Sequence, residues 1–274
     1  MLSIAAFTFR EARRRRVFAA VGFLSAAFLT LYALLVRLVE AHSGAGPLSP
    51  QALGGAVALF GVYMARSFSG LLAILVSAGA IAGEIESGAL QSVLARPLPR
   101  AAVVVGKFAG LGALLCVYTA ALQGAVLVLA RVLAGARVPD PLPVLAWLCL
   151  EPLILLSLTL LGSTFLPTVA NGAACVLLYG LAVAGGSLEQ IGVFLGRTGL
   201  QNIGTVTALL LPADAPYRQA FAIASRGVAG AVTDLLGPVL ASPARPDAAL
   251  LLYAALYPCA LLAIAVWVFS RRDV

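Results

Sequence analysis

Residues 17–36 read VFAAVGFLSAAFLTLYALLV, an apolar stretch without a charged side chain. Arg16 stands directly before it and Arg37 directly after it. About 20 consecutive apolar residues form a helix of about 30 Å, the thickness of the hydrocarbon core of a bilayer. The stretch is too long, and begins too late, for the apolar core of a secretory signal peptide. It therefore predicts a first membrane-spanning helix.

The rest of the chain has the same apolar character. Apolar residues make up 62% of the 274 residues, charged residues only 11%, and the mean hydropathy is +1.04. A soluble domain carries roughly 25% charged residues. The sequence thus predicts an all-α integral membrane protein and leaves little chain for a separate soluble domain. Within one domain of residues 1–274, six spans are expected at 17–36, 53–82, 108–130, 142–161, 166–184 and 248–270.

The distribution of basic residues predicts the orientation of these spans, because Lys and Arg near span ends are retained in the cytoplasm. With six spans, residues 1–16, 83–107, the turn after the fourth span and the C-terminal tail share one side, which holds ten of the 18 basic residues. Both termini are therefore expected in the cytoplasm. The net charge of +7 suits contact with anionic lipid headgroups, so we expect no nucleic-acid partner.

Two segments outside the spans are expected to lie along the membrane surface. Residues 1–16 place apolar side chains before a run of arginines, a pattern typical of an in-plane helix. A simple topology anchor is the alternative for that segment. Residues 185–247, on the extracytoplasmic side, carry scattered charges and apolar pieces too short to span. They indicate short amphipathic helices that rest on or dip into the interface.

Between the second and third spans, residues 83–107 form a charged island, GEIESGALQSVLARPLPRAAVVVGK. A helix over 84–95 would be amphipathic, with acidic residues in its first turn, where they suit the helix dipole. Pro97 and Pro99 would end that helix. At the cytoplasmic surface it could dock into a groove of a soluble partner, or it could rest on lipid headgroups. Both interpretations account for the apolar face.

The sequence lacks the residues of several catalytic sites. There is no GxxxxGK[ST] loop, because the single lysine, Lys107, is followed by Phe108. HExxH and GxSxG are also absent, and the single histidine, His42, is expected to be a loop residue. We therefore expect no enzymatic activity on this chain, and no catalytic, metal or cofactor residues. Four cysteines without CxxC spacing are interpreted as small apolar residues within the spans: Cys116, Cys149, Cys175 and Cys259.

Two ionisable residues lie inside predicted spans, Arg66 in the second and Glu151 in the fourth. Such residues are costly at membrane depth, so they indicate either pairing or a role in a transport pathway. An ion pair between Arg66 and Glu151 would satisfy both, although the sequence does not establish that their depths match. We favour a structural or subunit-packing role for Glu151 over a transport role. Pro152 follows directly and predicts a local kink.

The island also carries a family resemblance. Residues 83–90, GEIESGAL, resemble the segment after the second span in permease subunits of type-two ABC transporters, where G-E-I-E-x-G-T-L is common. A K-P-x-x-R stretch and G-K follow in that family, so Ala89 and Arg96 depart from its pattern. The nitrous-oxide reductase maturation permease belongs to the same group. Further runs that match are ARPLPR at 95–100, GKF at 106–108, FTFREARRRR at 7–16, LLPADAPYR at 210–218 and RRD at 271–273.

The resemblance implies a six-helix permease half that pairs with a second copy or a paralogue and with separate ABC ATP-binding subunits. ATP and Mg²⁺ would bind to those subunits, so no cofactor is expected on this chain. The family is associated with export, which implies an exporter in a bacterial or archaeal cell membrane. By position in the motif, the ATPase-coupling residues would be Glu84, Ile85, Glu86, Leu90, Arg96 and Arg100. The corresponding N-terminal interface would consist of Arg10, Glu11 and Arg14.

Two other functions stay open at the level of sequence. A secondary transporter would move its substrate along a proton or sodium gradient and would require Glu151. A membrane scaffold for a multi-enzyme assembly would show neither transport nor stimulation of an ATPase.

Overall fold

The molecule is a bundle of α-helices. In a computed structural model, the chain is described over residues 16–42, 50–86, 100–136, 138–227 and 246–271, and these residues contain no β-strand. A short 3₁₀ turn, Ser225–Gly227, follows the eighth of the helices found there. In chain order the helices are α1 Arg16–His42, α2 Pro50–Ser77, α3 Ala82–Glu86, α4 Arg100–Ala134, α5 Pro141–Gly162, α6 Thr168–Phe194, α7 Thr198–Leu210, α8 Asp214–Ala224 and α9 Ala248–Arg271.

Six stretches of the described residues are long and apolar enough to cross a membrane. Large apolar side chains such as Phe23, Val117 and Trp267 point outward from the bundle, where lipid would cover them. The prediction of an all-α membrane protein with six spans is confirmed. The stretches are Ala20–Ala41, Leu53–Glu84, Ala101–Ala134, Pro141–Gly162, Thr168–Phe194 and Ala248–Arg271.

Several helices differ in detail from the sequence-based expectation. α4 begins at Arg100, so the end of the charged island forms its first two turns, with Ala102 and Val104 buried. α6 continues to Phe194, because its later residues pack against α7. α5 contains Pro152 within one uninterrupted helix, and the local kink predicted there stays a prediction. The predicted in-plane helix of residues 1–16 and most of the predicted coupling helix at 84–95 lie outside the described residues.

Two apolar cores fill opposite halves of the bundle. α2, α4 and α5 each contribute one half of their length to each core, so the cores are stacked along the bundle axis. The core nearer to α3, here the proximal core, includes Ile74, Ile81, Val104, Leu115 and Leu156. The other, the distal core, includes Tyr32, Val62, Leu122, Leu148 and Tyr217.

α8 belongs to the distal core. It packs against α2, α5, α6 and α9, and most of its side chains are buried, among them Tyr217, Ala220 and Phe221. Short amphipathic helices at the interface were expected in this part of the chain. α8 is buried within the protein, because its apolar side chains complete the distal core and its charged side chains find partners there. Its position relative to the membrane interface stays a prediction.

α6 and α7 form a tight antiparallel pair. The chain reverses between them at Gly196, whose φ of +65° favours glycine. A Cβ atom on Gly192 would lie 2.8 Å from the backbone nitrogen of Gln201. Similarly, a Cβ atom on Gly204 would lie 2.8 Å from the carbonyl oxygen of Gly185. Small residues therefore allow the two backbones to touch.

This close contact predicts that Gly192→Ala destabilises the protein. The added methyl group meets backbone atoms that cannot rotate away, and such overpacking typically costs about 1–3 kcal/mol. Gly180→Ala on the same helix is the matched control, since a Cβ atom there meets nothing within 4 Å. We expect a lower apparent Tm in detergent for Gly192→Ala only. Equal Tm values for the two variants would contradict a tight contact between α6 and α7.

Candidate functional site

The interior of the bundle contains a row of five charged side chains of alternating sign, here called the ion ladder. Its inner end is the pair of intramembrane residues found in the sequence: Arg66 Nε lies 2.9 Å from Glu151 Oε1. The next member is Asp214, whose Oδ1 lies 2.7 Å from Arg66 Nη1. Arg66 on α2 therefore lies between one carboxylate of α5 and one of α8.

The ladder continues along α8 to α6. Asp214 Oδ2 lies 3.1 Å from Arg218 Nε, one helical turn further along α8. Arg218 in turn donates a hydrogen bond from Nη2 to Glu189 Oε2 on α6. Only Glu189 retains an appreciable exposed side chain, at 23%, whereas the other four are at most 9% exposed. The ladder thus ends at the one carboxylate that solvent can reach.

Two tyrosines hold the inner part of the ladder. Tyr179 on α6 donates a hydrogen bond from its hydroxyl to Glu151 Oε1, over 3.1 Å. The guanidinium of Arg66 lies over the ring of Tyr217, 4.2 Å from its centroid, in a cation–π contact. Burial raises the pKa of Tyr217 well above its usual value, because a charged phenolate would be poorly solvated there. Gly70 leaves room for Tyr179, since a Cβ atom there would lie 2.7 Å from the ring.

The position of the ladder follows from the two cores. Glu151 lies about ten residues from either end of α5, or roughly 15 Å along the helix axis. In sequence, Arg66 and Glu151 each fall between a segment of the distal core and a segment of the proximal core. α2 and α5 therefore bring the two residues to the same depth. The ladder starts at the boundary between the cores and extends beside α8.

The ladder satisfies most of its charges but not all of its polar atoms. Three buried atoms of the ladder have no hydrogen-bond partner among the described residues: Arg66 Nη2, Arg218 Nε and Asp214 Oδ2. The last two face each other as an ion pair without hydrogen-bond geometry. Because isolated buried charges are very unfavourable, each member depends on its neighbours. The ladder consequently links α2, α5, α6 and α8.

Sequence reasoning found only the inner two members of this unit. Asp214 and Arg218 were noted as charges in an extracytoplasmic segment and as part of the LLPADAPYR run. The spacing of four residues between them was an available signal, because it places opposite charges on one face of a helix. Glu189 and Tyr179 had no such signal. Their contribution depends on the packing of α6 against α5 and α8.

A second cluster of charged and polar side chains lies where α2, α3, α4 and α6 meet. This cluster is here called the α3 junction. Glu84 Oε1 lies 2.6 Å from Lys107 Nζ, and Lys107 also donates a hydrogen bond to the carbonyl oxygen of Ala80. Lys107 is buried although it carries a charge. The chain's single lysine thus connects the second turn of α4 to α3 and to the turn between α2 and α3.

The second acidic residue of the GEIE motif connects the junction to α6. Glu86 accepts two hydrogen bonds from Thr168, one from the backbone nitrogen at 3.0 Å and one from the hydroxyl at 3.1 Å. A carboxylate at the first residue of a helix also interacts favourably with the helix dipole. Nearby, Asn171 Nδ2 donates hydrogen bonds to the carbonyl oxygens of Ala78 and Thr159, both at 2.9 Å. α6 is therefore joined to α3, to α5 and to the turn that follows α2 at this end.

The remaining predicted interface residues are only partly described. Ile85 lies within α3, and Arg100 is the first residue of α4. The other predicted interface residues lie outside the described part of the chain: Arg10, Glu11, Arg14, Leu90 and Arg96. Of the proposed ATPase contacts, Glu84 and Glu86 are thus the two with observed partners, and those partners belong to this chain.

Comparison with known protein families gives one match. The sequence model of the family described as "ABC-2 family transporter protein" matches residues 2–274. No curated individual protein shows significant similarity to the chain. The family match does not separate the branches of the family, so the narrower likeness to the nitrous-oxide reductase maturation permease stays a prediction.

Proposed function

The chain belongs to the ABC-2 family of transporter proteins and is a multi-pass membrane permease subunit, and on this premise we propose that ATP hydrolysis by a separate subunit drives it as an exporter. Family membership implies association with an ABC ATP-binding subunit and with membrane lipid. We further propose that two permease subunits, identical or paralogous, form the complete transporter. Its membrane would be the cell membrane of a bacterium or archaeon, with both termini in the cytoplasm.

The α3 junction is the observation that supports this proposal most directly. In the proposed orientation it lies on the cytoplasmic side, and Glu86 directly precedes residues 87–99 of the charged island in sequence. The ATP-binding subunit would contact that island, and its movement would reach the bundle through Glu84 and Glu86. These two carboxylates would then transmit the movement to α4 and α6, since Lys107 and Thr168 are their partners. This assigns them a different role from direct contact with the ATPase.

The test is to purify the affinity-tagged full chain from its native membranes in mild detergent. We expect a protein with a GxxxxGK[ST] loop to copurify in stoichiometric amount. The reconstituted complex should then move substrate only when ATP is present. The result that would overturn the proposal is gradient-driven transport by this chain alone in liposomes, abolished by Glu151→Gln. That outcome would identify a secondary transporter.

The contacts of Glu151 bear on the choice between these two functions. Its Oε1 atom already accepts hydrogen bonds from Arg66 and Tyr179, and the residue is 2% exposed. A carboxylate that binds and releases a proton or sodium ion needs access to water. The observed surroundings therefore favour a structural role for Glu151 within an ATP-driven permease.

A further inference from the structure

Four of the five members of the ion ladder form two ion pairs that are each electrically balanced. Arg66 pairs with Glu151 inside the bundle, between α2 and α5. Asp214 pairs with Arg218 on α8 itself, four residues apart. If the contact between Arg66 and Asp214 breaks, each of these pairs stays intact. Because unpaired buried charges are the main electrostatic obstacle to opening a protein interior, this arrangement lowers that obstacle.

The second ion pair that connects α8 to the rest of the bundle can also break when α8 moves away. Arg218 is paired with Glu189 on α6, and Glu189 is the most exposed member of the ladder. When Arg218 moves away, the carboxylate of Glu189 can be hydrated. The inner carboxylate, Glu151, keeps both Arg66 and the hydroxyl of Tyr179. No fully buried charge is left without a partner on either side.

We propose that α8 is a movable gate at the end of the bundle opposite α3, and that the ion pair between Arg66 and Asp214 is its latch. The cation–π contact of Arg66 with Tyr217 belongs to the same latch, because Tyr217 also lies on α8. In the closed state α8 completes the distal core. In the open state it leaves that core with its own Asp214–Arg218 pair, and water enters between α8 and α2. This goes beyond the proposed function, which assigns no moving part to this end.

The fit of the latch depends on a glycine. A Cβ atom on Gly186 of α6 would lie 2.7 Å from the carboxyl carbon of Asp214. Gly186 therefore leaves the space in which Asp214 reaches Arg66. Substitution of this glycine would displace the Asp214 carboxylate without changing any charge. It provides a way to weaken the latch that is independent of removing the carboxylate.

The experiment measures how fast a buried cysteine on α8 reacts with a charged, water-soluble thiol reagent. The four native cysteines are replaced by alanine, and Ala220→Cys is the reporter, since Ala220 is 0% exposed. The full-length chain is labelled in detergent, where both ends of the bundle are accessible. When opening and closing are fast, the labelling rate follows the population of the open state.

Asp214→Asn and Glu151→Gln are a matched pair of variants, because each removes one of the two carboxylates that pair with Arg66. Asp214→Asn breaks the latch but leaves Arg66 with Glu151 and Arg218 with Glu189. We expect it to accelerate labelling of the reporter by about tenfold or more, because a modest shift of the opening equilibrium raises the population of the open state by that factor. Glu151→Gln keeps the latch and should leave the rate within about twofold of the parent. Gly186→Ala should accelerate labelling like Asp214→Asn.

A second reporter distinguishes opening of α8 from general loosening of the bundle. Ala73→Cys lies in the proximal core and is also 0% exposed, so it should stay unreactive in all variants. Equal acceleration by Asp214→Asn and Glu151→Gln would overturn the proposal, as would acceleration at both reporters. If Asp214→Asn does not fold, Gly186→Ala decides: an unchanged rate in that variant would also overturn it. No ATPase is used, so this result does not depend on the proposed function.

Discussion

Arg66→Met should lower the free energy of unfolding by about 3–5 kcal/mol, the usual effect of removing one partner of a buried ion pair. The methionine fills similar space, but it leaves Glu151 and Asp214 facing each other without the cation between them. Both carboxylates are at most 9% exposed, so solvent cannot compensate. We expect low yields in the membrane and a strongly lowered apparent Tm of the protein purified in detergent.

Arg131→Met is the control for loss of an arginine, because Arg131 is exposed at the end of α4. Its Tm should match that of the parent. The triple variant Arg66→Met, Glu151→Gln, Asp214→Asn removes the cation together with both carboxylates and should recover most of the stability. If the triple variant were as unstable as Arg66→Met, the loss would arise from packing, and the electrostatic account of the ladder would be wrong.

Glu86→Ala should uncouple ATP hydrolysis from transport while the permease still binds its ATPase. The substitution removes both hydrogen bonds to Thr168 and with them the connection between α3 and α6. Coupling free energies between sites are typically about 1–3 kcal/mol, so we expect transport per ATP hydrolysed to fall about tenfold. The measurement is ATP-dependent transport and ATP hydrolysis by the reconstituted complex, together with the amount of ATPase that copurifies.

The copurified amount separates the two roles considered for Glu86. Loss of the ATPase from the purified complex would indicate that Glu86 contacts the partner directly and would contradict a transmitting role. Glu86→Gln is the matched variant, because an amide oxygen can still accept a hydrogen bond from Thr168. It should retain most of the coupling that Glu86→Ala loses. Equal losses in both variants would point to the charge rather than the connection to α6.

Much of the architecture could be predicted from local sequence. The spans are long apolar stretches flanked by charges, and this pattern depends on neighbouring residues only. The helix ends were harder to predict. α4 begins at Arg100 and α6 extends to Phe194, because the added turns pack against other helices. Whether a helix continues through polar or small residues depends on the neighbouring helices that those residues contact.

The candidate site was predictable only in part, for the same reason. Arg66 and Glu151 stood out because a charge within an apolar stretch is conspicuous. Their pairing was a hypothesis, and the structure joins them across 85 positions of the chain. Asp214 and Arg218 looked like ordinary charges of an extracytoplasmic segment. Their burial follows from the insertion of α8 into the distal core, which nothing in their local sequence indicates.

The class of the protein, its six spans and the acidic motif of the charged island follow from the order and composition of the residues. Apolar length and scarcity of charge are local properties, so they need no knowledge of the fold. The partners of the charged residues were decided by tertiary packing. Glu86 meets Thr168 across 82 positions, and Asp214 meets Arg66 from a helix expected at the membrane surface. The rotation and depth of each helix determine such contacts, and both are set by how the whole bundle packs.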